Sequence, residues 1–325
     1  MLRLPRFRYL RPSSAREAAA MAAEYGPRAM FVAGGTDLFP KLKRRQFEPD
    51  VLISLGFLQE SATVSGHWVG AGVTLNQAAA DDHLRQSYPG YAEAAGQVSS
   101  PPLRNAGTVG GNLCVDTRCN YYDMTYEWRK SIGFCLKKDG DICLVAPGSH
   151  RCWAVSSSDT APMAIALGAT VTLVGEGGER ELPAAALYRD DGIDFLAKHP
   201  SEVVTGVHLG PDAGTASAYV KVRRRGSIDF PIAGAGVAMR LDGDVVAACR
   251  IVLTAAGSHP VEATSAADLV VGRRLDQDAL LAAAELAAKP ARPLDNADLN
   301  HFWRKRMMRV AVEQALEKAA TRSRR

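Results

Sequence analysis

Apolar positions along the chain change period several times, and each change marks an element. Ser13 or Ser14 can cap the alanine-rich run from Ala15 to Glu24, and Gly26-Pro27 closes it, which predicts a helix. The short apolar runs Ala29-Met30-Phe31-Val32-Ala33 and Val51-Leu52-Ile53-Ser54 predict buried strands. Between them Gly34-Gly35 breaks the first strand, Thr36 or Asp37 opens a helix, and Lys41 to Arg45 form its basic exit. The result is a small β-α-β-like unit with a glycine turn at the carboxyl end of a strand, where α/β folds commonly bind ligands.

Past residue 56 the pattern alternates at Ala62–Val64 and Trp68–Ala71 around Gly66, predicting strands. A helix capped by Thr74 is expected to reach about Gln86, and a second to cover Tyr91–Val98. Pro101-Pro102 predicts an extended turn leading into Gly107-Thr108-Val109-Gly110-Gly111-Asn112-Leu113. Asp159–Leu167 reads as a helix, Ala169–Val174 with Glu179–Leu182 as a hairpin, and Glu202–Leu209 as a strand. Beyond a boundary near Pro211–Gly214 come strands at Ser217–Arg223, Ile232–Leu241 and Val245–Leu253, the last two joined by Asp242-Gly243. Helices follow at Glu262–Val270, Gln277–Ala288 and about Asp295–Ala319, and Arg322–Arg325 reads as a frayed basic end. The expected fold is α+β: units at 1–55 and 56–213, the second carrying the cysteine stretch at about 114–155, then an α+β unit at 214–325 with a three-stranded antiparallel sheet.

Composition narrows the class. With 325 residues, 47% hydrophobic and 23% charged, the chain can bury a sizeable core. A net charge of +4 gives no case for nucleic acid. No apolar run reaches the roughly 20 residues of a membrane span. Met1-Leu2-Arg3-Leu4-Pro5-Arg6 has no apolar core like that of a signal peptide, so a cytoplasmic location is expected, where cysteines serve as ligands or buried thiols more often than as disulfides. Five of six cysteines fall within 114–152. Cys119, Cys135, Cys143 and Cys152 stand sixteen, eight and nine residues apart, without the close pairs of a zinc ribbon. Four thiolates fit a 4Fe–4S cubane or a structural zinc, and ligation would hold the polar, irregular stretch Thr117–Trp153. Cys114 reads as a buried thiol and Cys249 as core.

Two glycine turns, Val32-Ala33-Gly34-Gly35-Thr36-Asp37-Leu38 and 107–113, free backbone N–H groups that could share one pyrophosphate; each alone also fits a tight structural turn. Neither is Gly-x-Gly-x-x-Gly or a Walker loop, and no nucleophile elbow or histidine metal pattern is present. Asp159 reads as a helix cap, and Lys221–Arg225 as a basic cluster that is either solvated or sends a lysine over an electron-rich ring.

Taken in order, the first glycine turn, Thr108-Val109-Gly110-Gly111-Asn112, Ser158-Asp159-x-x-Pro162 with Leu167-Gly168-Ala169, and Glu202-Val203-Val204, with Lys221 and Asp229 beyond, resemble the FAD-binding medium subunit of the xanthine dehydrogenase and CO dehydrogenase family. The long insertion between Asn112 and Asp159 departs from the common pattern and resembles that of the 4-hydroxybenzoyl-CoA reductase branch, whose FAD subunit binds a 4Fe–4S cluster. The resemblance implies that Val32, Ala33, Gly34, Gly35, Thr36, Asp37, Leu38, Gly110 and Gly111 hold the FAD pyrophosphate. Thr108, Asn112 and Asp159 would lie against flavin and ribityl, Val98 and Val204 would pack near the isoalloxazine with Lys221 close by, and Cys119, Cys135, Cys143 and Cys152 would hold the cubane. It also implies a large molybdopterin subunit and a small subunit with two 2Fe–2S clusters, in a dimer of heterotrimers, with reduced ferredoxin feeding electrons inward for dehydroxylation of 4-hydroxybenzoyl-CoA to benzoyl-CoA. Arg118, Arg129, Lys130, Lys137 and Lys138 are expected to form a docking patch for an acidic ferredoxin.

Overall fold

The computed structural model describes residues 2–56, 58, 61–212 and 214–323. Ala213, at the edge of the expected second unit, and Arg324 and Arg325 of the expected basic end lie outside the described residues.

The first unit runs β1 (Arg8–Leu10), α1 (Ala15–Tyr25), β2 (Ala29–Val32), α2 (Leu38–Lys43) and β3 (Val51–Ser54), with sheet order β1-β3-β2 and both pairings parallel. Ser14 caps α1 by accepting from the Glu17 N–H, and Ala15, Ala18, Ala19 and Ala22 form its buried stripe. β1 escaped the sequence pattern because Arg-Tyr-Leu is mostly exposed on an edge strand.

The second unit contains β4 (Val64–Ser65), β5 (Trp68–Gly70), α3 (Leu75–Ala80), α4 (Asp82–Ser87), α5 (Pro89–Gln97), α6 (Pro101–Arg104), α7 (Val109–Leu113), α8 (Tyr126–Ser131), α9 (Thr160–Ala166), β6 (Thr170–Gly175), β7 (Gly178–Pro183) and β8 (Val203–His208). Its five strands form an antiparallel sheet ordered β4-β5-β8-β6-β7. The single helix expected after Thr74 is two, because Asp81 leaves helical geometry and caps α4 by accepting from the Leu84 N–H at 2.9 Å. Pro101-Pro102 starts α6 rather than an extended turn: proline at the first helical position loses no hydrogen bond that the helix would have used.

The third unit has β9 (Thr215–Val222), β10 (Ala233–Asp242), β11 (Val245–Thr254), β12 (Val261–Glu262), α10 (Thr264–Val270), α11 (Gln277–Ala287) and α12 (His301–Ser323). Its antiparallel sheet has four strands, β12-β11-β10-β9, the short β12 being added to the three expected. Helix α12 covers β9 and β10. Its end is not frayed as expected through Arg322, which donates to the Ser217 carbonyl at 2.6 Å and pairs with Glu93 of α5. Helix α9 is buried along its whole length between the second and third units, and Gly236 on β10 lets it come close: a Cβ there would stand 2.7 Å from Met163 Sδ.

Candidate functional site

The two glycine turns lie against each other. A Cβ on Gly34 would fall on the Ala106 carbonyl, and Gly107 faces Thr36 Oγ1, so the two backbones meet with no side chain between them. The first turn leaves the buried end of β2 at Val32; Ala33, Gly34, Gly35, Thr36, Asp37 and Leu38 are all half-buried, and Gly35 has φ +69°. The second is fixed from below, where Leu75 N–H donates to Gly107 O and Gly110 N–H to Ala71 O, both at 2.8 Å. Thr108 caps α7 through the Gly111 N–H at 3.1 Å. Ala71 N–H in turn donates to Thr205 O at 2.8 Å, which sets Val204 of β8 beside this turn. Val98 ends α5 and packs half-buried on the same core as Val204.

Asn112 is buried, and its Oδ1 accepts from Ser158 Oγ (3.0 Å), Thr160 N (3.0 Å) and Thr160 Oγ1 (2.8 Å). It thereby anchors the start of α9 to α7. The expected capping role of Asp159 is filled instead by Ser158, whose Oγ accepts from the Ala161 N–H at 3.0 Å. Asp159 turns away: Tyr219 donates to its Oδ1 at 2.6 Å and Lys221 to its Oδ2 at 3.0 Å, while Lys221 also donates to Gln97 O at 2.9 Å. Lys221 is therefore no part of a solvated face. Burial raises the Asp159 carboxyl against the pull of Lys221, and burial lowers the Lys221 ammonium against the pull of Asp159. Tyr219 was missed, although it lies two residues before Lys221 on the same face of β9 and so carried a readable signal.

The four cysteines come together. Cys119, Cys135, Cys143 and Cys152 are all buried and line one small hollow with Tyr121, Leu136, Lys137, Leu144, Val145 and Ala154. Gly192, from a loop far along the chain, admits the Cys152 sulfur: a Cβ there would stand 2.7 Å from Sγ. Burial pushes the Cys119 thiol up to about 12 and the Cys152 thiol up to about 11. Among the described residues no three His, Cys, Asp or Glu side chains converge closely enough to hold one metal ion. Four buried soft donors lining one apolar hollow are the donor set of a thiolate-held inorganic centre. Cys114 is half-buried against the second unit's core, with its thiol raised by burial. Cys249 is half-buried at the edge of the third core rather than within it.

A group of buried charges joins the hollow to the first glycine turn. Arg118, next to Cys119, pairs with Asp37 of that turn and with Asp123 at 3.0 Å, its guanidinium lying 3.9 Å from the Phe230 ring centroid. Lys41 of α2 is only 1% exposed and pairs with Asp116, which also takes Lys137 at 2.7 Å. Burial would raise Asp116, but Lys137 and Lys41 hold it far below the usual carboxylate range. Burial lowers Lys41. Arg129, 0% exposed, donates to Arg44 O (3.1 Å) and Arg45 O (2.9 Å) at the exit of α2, and Gln46 Nε2 donates to Tyr122 O at 2.6 Å. The stretch expected to be too irregular to pack has its own helix α8 and its own apolar cluster around Tyr122 and the cysteines.

These contacts correct the expected docking patch. Arg118, Arg129 and Lys137 point inward, leaving Lys130 exposed and Lys138 partly exposed against Asp139. The outer face of the insertion shows Met124, Tyr126, Trp128 and Ile142 instead. Lys41 was passed over as part of a basic exit, although its spacing from Asp37 is that of a helical ion pair. Asp116, Tyr122 and Gly192 had no comparable signal, because Lys41 and Lys137 on Asp116, Gln46 on Tyr122 and Lys137 on Gly192 all come from 21 or more residues away.

Residues 5–211 match the family described as FAD binding domain in molybdopterin dehydrogenase, and residues 217–319 match the CO dehydrogenase flavoprotein C-terminal domain. The chain is 31% identical over 304 residues to the aldehyde oxidoreductase FAD-binding subunit of Escherichia coli, covering 87% of this chain and 92% of that one. It is 27% identical to the carbon monoxide dehydrogenase medium chain of Hydrogenophaga pseudoflava, covering 98% of each. A solved structure of carbon monoxide dehydrogenase from that organism superposes with a TM-score of 0.80 at 26% identity, over 98% of this chain and 99% of that one. These matches support FAD binding, and the absent side chain at Gly34 lets the two glycine turns pack backbone on backbone. The chain belongs to the family of FAD-binding medium subunits of the xanthine and carbon monoxide dehydrogenases.

Proposed function

We propose that this chain is the FAD- and 4Fe–4S-containing electron-transfer subunit of a molybdenum enzyme of the 4-hydroxybenzoyl-CoA reductase type. The observation that carries this reading is the convergence of four buried thiols on one hollow, beside which Arg118, the neighbour of Cys119, pairs with Asp37 of the first glycine turn. Val32 to Leu38 with Gly110 and Gly111 enclose the FAD pyrophosphate, and the backbone donors come from the first turn, because the Gly110 N–H is given to Ala71 O and the Gly111 N–H to Thr108 Oγ1. Thr108, Asn112 and Asp159 line flavin and ribityl, with Val98, Val204 and Lys221 toward the isoalloxazine. Cys119, Cys135, Cys143 and Cys152 ligate the cubane. The units are 1–55, 56–213 and 214–325. When bound, the flavin and the cluster supply electron transfer, and this chain's residues set their spacing and local charge. The partners are a large molybdopterin subunit and a small subunit with two 2Fe–2S clusters, paired as a dimer of heterotrimers. Reduced ferredoxin supplies electrons for removal of the phenolic hydroxyl of 4-hydroxybenzoyl-CoA.

A second reading keeps the cofactors and reverses the flow, outward from a molybdenum hydroxylase. It is favoured by relatives named dehydrogenases, among them those for carbon monoxide and nicotinate, and by the inward aim of three of the five basic residues. Anaerobic purification followed by iron, acid-labile sulfide and flavin analysis tests the shared core: equal molar flavin and cluster are expected, and zinc or empty thiols would overturn it. Benzoyl-CoA formation from 4-hydroxybenzoyl-CoA by the complex under reduced ferredoxin then distinguishes the two directions.

A further inference from the structure

Lys137 is the one cationic side chain lining the cysteine hollow among the described residues. Its side chain is 6% exposed, so water and salt screen its charge little. The ammonium is held by three acceptors: Asp116 Oδ1 at 2.7 Å, Thr117 Oγ1 at 2.5 Å and Gly192 O at 2.5 Å. Its stem sits two residues from Cys135, and the glycine it binds is the one against which the Cys152 sulfur packs. Asp116 is shared with Lys41, so two buried cations divide one carboxylate. The pair Arg118 and Asp123, with Asp37, lies on the side of the flavin turn, and Asp123 also accepts from the Cys119 N–H at 3.1 Å.

Resting on the cluster reading above, we infer that Lys137 is a positioning residue whose fixed positive charge offsets the negative charge gathered by four thiolates and so sets the reduction potential of the centre in the hollow. A cation beside a thiolate-ligated centre favours its more reduced, more negative state. Asp116, Thr117 and Gly192 keep that cation at a fixed place, so the effect belongs to one atom, Nζ, and not to a mobile surface charge.

The experiment is an EPR-monitored redox titration of the full complex carrying Lys137→Gln or Lys137→Arg, with iron and sulfide measured on the same samples. Iron in the unsubstituted complex tests the cluster reading first, separately from this inference. Lys137→Gln is expected to shift the midpoint to more negative potential, or to lose iron for want of the balancing charge, while Lys137→Arg keeps both iron and a near-native midpoint. An iron-replete Lys137→Gln complex with an unmoved midpoint would overturn the inference, as would equal iron loss in both variants, which marks Lys137 as a fastener only.

Discussion

The glycine turns and the cysteine stretch solve the same problem, bringing distant segments of the chain into contact, by opposite means. The turns work by omission: at Gly34 and Gly107 two backbones touch because no side chain stands between them. The cysteine stretch works by filling, burying Arg129, Tyr122, Lys41 and four thiols in a region with one short helix. Backbone cradles tolerate changes in the surrounding side chains but not an added methyl group. Buried charges tolerate shape changes but not the loss of a partner.

The sharpest way to break this contrast is Asp116→Ala. It strips the shared carboxylate from Lys41 and Lys137 and is expected to cost about 3–5 kcal/mol, read by denaturant unfolding, with Lys41→Met in the same chain restoring part of the loss. A smaller effect comes from acid. Asp116 ionises in the fold well below its ordinary value of 3.8, so its contribution is whole above that pH and is lost as pH falls further. Unfolding midpoints followed downward from pH 4 are expected to fall more steeply for the parent chain than for Asp116→Asn. Next, Gly34→Ala drives a methyl group into the Ala106 carbonyl and is expected to cost about 1–3 kcal/mol of cradle geometry. Released-flavin fluorescence is then expected to show FAD bound about tenfold more weakly, with iron retained, whereas Cys143→Ala loses iron and keeps flavin. Loss of both cofactors from either variant would show that the two regions fold as one. Smallest is Lys130→Glu: this exposed neighbour of buried Arg129 is expected to change stability by less than about 0.5 kcal/mol by the same unfolding measurement.

The backbone half of this comparison was legible and the side-chain half was not. Ser14 before an alanine run, Gly34-Gly35 after an apolar strand and Asp242-Gly243 between two others each carry a local rule, and α1, β2 and the β10–β11 hairpin stand where those rules put them. Asp81 and Pro101 also carried local rules that were misread, one as helix interior and one as an extended turn. The convergence of Cys119, Cys135, Cys143 and Cys152 was expected, but the packing of Cys152 against Gly192 was not. Arg118, Arg129 and Lys137 look like surface residues in any sequence window. Their burial depends on partners such as Asp37, Arg44 O and Gly192 O, which no spacing rule connects to them.

Arg129 also bears on how such a cysteine stretch could be moved between proteins. Its guanidinium takes the Arg44 and Arg45 carbonyls just past α2, and Gln46 ties the same exit to Tyr122. Grafting the four thiols into a host would therefore mean bringing the receiving helix end as well, including Lys41 and Gln46. Cutting the stretch out of this protein would leave Lys41 only Asp37, 4.0 Å away, and the exit of α2 an open seam.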